Sequence, residues 1–93
     1  MADGELARIR TEFVKKISVP VLKQLLDGLL EDGVLNDGEK DSILEENCSR
    51  EDKARQLIDT VKKKGNEASR KMISHLQDRD PTLFSQLGLS SSA

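Results

Sequence analysis

Apolar residues recur every three or four positions along nearly the whole chain, the spacing of one buried face of an α-helix. Leu6, Ile9, Phe13 and Ile17 open the pattern, and Val14 widens the stripe. Ser18-Val19-Pro20 interrupts it, with proline suited to a first helical turn. A second helix follows, with Leu22, Leu25, Leu26, Leu29 and Leu30 inward, and Asp32-Gly33 ends it. After Val34 and Leu35, Asn36 with Glu39 three residues on has the form of a capping box. This predicts a short third helix from near Asp37, with Ile43 and Leu44 inward. Gly38 within it costs about 1 kcal/mol relative to alanine, so this helix is expected to be the weakest.

Ser49 and Asp52 predict the next cap, before a fourth helix carrying Ala54, Leu57, Ile58 and Val61. It ends at Lys62-Lys63-Lys64-Gly65, where cations suit the helix dipole and glycine suits the stop. Asn66 is the expected cap of a fifth helix, with Ala68, Met72, Ile73 and Leu76 inward. Asp80-Pro81 introduces a short sixth helix with Leu83, Phe84 and Leu87, closed by Gly88. No segment alternates as a strand does. The expectation is an all-α, six-helix antiparallel bundle over residues 1–89, followed by a flexible polar tail at 90–93. Leu22, Leu26, Leu29, Leu57, Ile58, Val61, Ile73 and Leu76 should share one core.

The 93 residues suffice for one thin core but not for a deep active-site cavity. Two Phe, no Trp and no Tyr leave little for stacking on bases, and a net charge of −2 opposes general attraction to nucleic acid. No apolar run is long enough to span a bilayer. The charged opening MADGELARIR is unlike a signal peptide, and the single Cys48 cannot form an internal disulfide. A cytoplasmic location is the expectation.

Candidate chemistry is sparse. Cys48 would need a basic partner for nucleophilic catalysis, and His75 is the one histidine, expected at the solvent edge of helix 5. One Cys and one His cannot by themselves complete a zinc site. The stretch DGVLNDGE lacks the alternating order of a calcium loop. The expectation is a noncatalytic domain without cofactor or metal.

Charge, by contrast, is strongly segregated. Residues 27–46 carry eight acids against the single base Lys40, a balance of −7. Residues 1–26 balance to +2 and residues 47–93 to +3. Helices 2 and 3 should therefore expose acids such as Asp27 and Glu31. Helix 1 should expose Arg8, Arg10, Lys15 and Lys16, and helix 4 Arg50, Lys53 and Arg55. Arginine and carboxylate form bidentate, charge-assisted contacts. Acidic and basic faces on one rigid bundle allow copies to bind head to tail, a contact that propagates instead of closing as a dimer.

Four stretches carry a family resemblance: the opening MAD, LLDGLLEDGVLN, EDKARQLIDTVKKKG and the terminal LGLS. Together they order residues 1 to 90, and the chain resembles the caspase recruitment domain (CARD) of the death-domain superfamily, most closely the N-terminal prodomains of inflammatory caspases. The resemblance implies a death-domain-like Greek-key arrangement whose first helix is often bent or broken. It implies homotypic binding to other CARD proteins, adaptors or sensors, and to itself. Caspase zymogens are thereby clustered and activated by proximity in inflammasome signalling. By the same resemblance Asp27 falls on the acidic side, and Asp52 and Arg55 on the helix 4 interface. Arg10 is the matching base of helix 1, and Lys64 a base at the end of helix 4. Gly38, the heavier acid load of helix 3 and SRKMISHLQDRDPTLF depart from the family pattern and bear on the choice of partner. An adaptor, a nucleotide-binding receptor or a guanylate-binding protein are alternative hosts. Binding of lipopolysaccharide through Lys62, Lys63, Lys64, Arg70 and Lys71 is a further alternative, disfavoured by the net charge.

Overall fold

The computed structural model describes residues 2–46 and 49–89. Cys48 and the 90–93 tail lie outside the described residues. Six helices and no strand occur among those described: α1 Ala2–Lys16, α2 Val19–Glu31, α3 Asp37–Glu45, α4 Arg50–Lys63, α5 Asn66–Arg79 and α6 Pro81–Gln86. α1 packs chiefly on α4 and also on α5, α2 packs on α5, α3 on α4, and α6 on α5. The first helix runs from Ala2 to Lys16 without a break.

All eight expected core residues are buried, within one cluster that also takes in Leu6, Ile9, Phe13, Ile43, Met72 and Phe84. Leu30 and Leu44, expected inward, are only half-buried. On α2 the buried residues are Leu22, Leu25, Leu26, Gly28 and Leu29, so the inward face centres on Leu25 and Leu29. At about 100° per residue, Leu30 falls beyond the edge of that face. Leu44 packs against the core from its margin.

The helix ends follow local chemistry. Ser18, Asn36, Ser49 and Asp80 cap α2, α3, α4 and α6, each side chain accepting a backbone N–H three residues on. The Asn36–Glu39 capping box is complete, with Glu39 N–H donating to Asn36 at 2.7 Å and Asn36 N–H to Glu39 at 3.0 Å. Gly33, Gly65 and Gly88 have φ of 76°, 104° and 73°, the left-handed region that residues with a Cβ disfavour.

One cap differs from expectation. Gly65, not Asn66, precedes α5, and Asn66 is its first residue. Gly65 both follows the end of α4 and accepts the first bond of α5, from Ser69 N–H at 3.1 Å. The turn is too tight to leave a separate capping residue. The Ser69 hydroxyl reinforces it by donating to the same carbonyl at 2.8 Å.

Candidate protein-interaction surface

Asp27 and Glu31 stand one turn apart on α2, and both are exposed. Asp37, Asp41, Glu45 and Glu46 extend the exposed acidic side along and just past α3. Asp27 is not free of partners: its Oδ1 lies 2.8 Å from Lys40 Nζ on α3. That contact, with Asp41 and Asp37 nearby, raises the Lys40 ammonium above its ordinary pKa.

The basic side belongs to α1 and α4. Arg10, Thr11, Val14, Lys15, Glu51 and Arg55 line one groove between them, so residues distant in sequence meet there. Arg10 makes a bidentate pair with Asp59 across the helices, 2.9 Å for each bond. Its bond to Asp59 raises the Arg10 pKa and holds the Asp59 carboxyl below its usual range. Arg55 pairs with Asp52 one turn away at 2.7 Å, and Lys53 beside them is half-buried.

Lys64 lies apart from this groove, 2.9 Å from Glu39 at the start of α3. The Lys64 bond, then the Asn36 backbone N–H, lower the Glu39 pKa. Lys64 therefore closes the α3–α4 corner. Of the other cations at the α4–α5 end, Arg70 is paired with Glu67 at 3.1 Å, while Lys63 and Lys71 are exposed.

Arg50 departs from its expected place, and His75 meets a partner the sequence did not show. Arg50, expected on the open surface, donates to the carbonyls of Val14 at 2.8 Å and Ile17 at 2.7 Å. The last carbonyls of a helix lack intrahelical partners, and the guanidinium satisfies two of them at the end of α1. His75 lies half-buried at the edge of α5, where it was expected, packed against Gly28 with Nε2 2.6 Å from Asp32 Oδ2. Lys40 and Asp59 were not among the candidate interaction residues. Lys40 had a signal as the lone base of an acidic block, but Asp59 lies 49 residues from Arg10 and had none.

No group of three or more His, Cys, Asp or Glu side chains able to hold a metal occurs among the described residues. No described helix is long and apolar enough to cross a membrane.

Residues 5–90 match the family model of the caspase recruitment domain. The chain is a CARD. It is similar to caspase-1 of Equus caballus, 42% identical over 91 residues, which cover 98% of this chain and 22% of that protein. It is also similar to caspase recruitment domain-containing protein 18 of Homo sapiens, 40% identical over 89 residues, 96% of this chain and 99% of that protein. The solution structure of ICEBERG, an inhibitor of interleukin-1β generation, matches with a TM-score of 0.77 and 40% identity, covering 84% of this chain and 88% of that one. The six helices thus form the death-domain fold. A CARD is a noncatalytic module for homotypic interaction. The chain spans about a fifth of its caspase-1 relatives and nearly all of the CARD-only human relative.

Proposed function

We propose that this CARD recruits and clusters an inflammatory caspase zymogen in the cytoplasm, through head-to-tail contacts between its acidic and basic sides. The observation that carries this reading is the division of charge between helix pairs. Asp27 and Glu31 form an exposed acidic row on α2, while Arg10 and Arg55 share the α1–α4 groove of the same domain. Asp52, paired with Arg55, and the neighbouring Lys53 extend this surface along α4, and Lys64 contributes through the corner it holds. Each contact would exchange intrachain pairs for interchain ones. A single exposed pair contributes only about 0–1 kcal/mol, so several must act together. Clustering raises the effective concentration of attached protease domains and so promotes their activation in inflammasome signalling.

The near-complete overlap with caspase recruitment domain-containing protein 18 and the likeness to ICEBERG favour a second reading on the same surface. Here the domain occupies a caspase CARD without delivering a protease domain, and so limits activation. Retention of caspase-1 on the immobilised domain tests the shared step. Wild-type domain should retain it, and Asp27→Arg and Arg55→Glu should each reduce retention; equal retention by all three contradicts the surface assignment. The two readings then part on autoprocessing of caspase-1, which an attached protease domain raises and the free domain lowers.

A further inference from the structure

Lys40 occupies the place on the acidic side that an incoming cation would take. It is the one base among the acids of residues 27–46, and its ammonium already sits 2.8 Å from the Asp27 carboxylate. The side chain of Asp27 remains 64% exposed, so the carboxylate can be approached without unfolding anything. Lys40 itself would not be stranded by release, because Asp37 and Asp41 act on it as well.

We propose that Lys40 is an internal competitor for Asp27, which weakens homotypic binding through the acidic side. The proposal rests on the acidic side binding a basic CARD face. A partner lysine exchanges one single-point ammonium contact for another and gains little. A partner arginine replaces that contact with a planar fork able to make two parallel bonds to the carboxylate. Lys40 therefore subtracts a similar amount from every partner, lowering affinity while leaving the preference for a bidentate partner as it was. The acidic block without Lys40 would bind either cation more tightly.

Two one-sided copies isolate the contact. An Arg55→Glu copy offers only the acidic side, and an Asp27→Arg copy offers only the basic side, so together they form a capped pair whose dissociation constant can be measured by sedimentation. Helicity of each copy by circular dichroism confirms folding. Adding Lys40→Met to the acidic-side copy should tighten the pair roughly three-fold, within the range of an exposed ion pair. Adding Arg55→Lys to the basic-side copy should weaken binding by the same factor whether or not the acidic-side copy keeps Lys40. Equal tightness with and without Lys40, or weaker binding without it, overturns the competitor role while leaving acid–base pairing in place. No pairing with either acidic-side copy overturns both.

Discussion

The imidazole of His75 occupies the space above Gly28: a Cβ built on Gly28 would lie 2.8 Å from both Cε1 and Nδ1 of the ring. The bond from His75 to Asp32 at the end of α2 holds the ring there. A glycine inside α2 is thus required by close approach of α5, not by backbone conformation.

Gly28→Ala should consequently destabilise the domain, by about 1–3 kcal/mol for overpacking, offset in part by better helix propensity. In a His75→Ala background the same change should become stabilising, by up to about 1 kcal/mol, because only the propensity gain remains. Urea unfolding of the four proteins reads the sign. A Gly28→Ala effect of the same sign and size in both backgrounds would show that the ring is not the obstacle.

Arg50 ties the start of α4 to the end of α1, and its bonds go to carbonyls that no other residue of α1 can satisfy. Arg50→Ala should cost about 1–3 kcal/mol, the range for losing charge-assisted bonds. Arg50→Lys should recover only part, since one ammonium cannot span the carbonyls as a guanidinium does. Thermal unfolding at neutral pH checks both. A change within error for Arg50→Ala would mean that water serves these carbonyls equally well.

Acid should weaken the fold through Asp59 and Glu39. Both carboxyls have a pKa lowered in the folded state, chiefly by Arg10 and Lys64. A lowered folded pKa gives stability that is present above the unfolded value, about 4, and is lost as pH falls through the folded value. Both pairs are more than one-third or nearly one-third exposed, so each should contribute about 1 kcal/mol or less. Asp59→Asn and Glu39→Gln should therefore lower stability at pH 7 but have little effect near pH 2. Unfolding curves across this range test the prediction, and an equal loss at both pH values would assign the effect to packing.

The helices and most of the core were legible because the signals for them are local. The stripe from Leu22 to Leu29, the Asn36–Glu39 box and the glycines after α2, α4 and α6 each lie within a few residues of what they determine. Leu30 was misplaced because the apolar pattern could not show that Gly28, facing His75, belongs to the buried face of α2. Arg50 and Asp59 find their partners 33 to 49 residues away, across helices whose packing the pattern does not specify. The charge blocks were plain in the sequence; that Asp27, Arg10, Arg55 and Lys64 all have intrachain partners was not.

If copies of this domain associate by placing the acidic side of one against the basic side of another, charge reversal on either side alone should stop growth. Sedimentation velocity of Asp27→Arg, of Arg55→Asp and of their equimolar mixture tests it most directly, with the wild type at the same concentration and about 0.1 M salt, where charges within about 10 Å still interact. The wild type should form large assemblies, each variant alone should stay monomeric, and the mixture should form a limited pair, since each variant keeps one functional side. Assemblies of wild-type size in both single variants would contradict this mode of association.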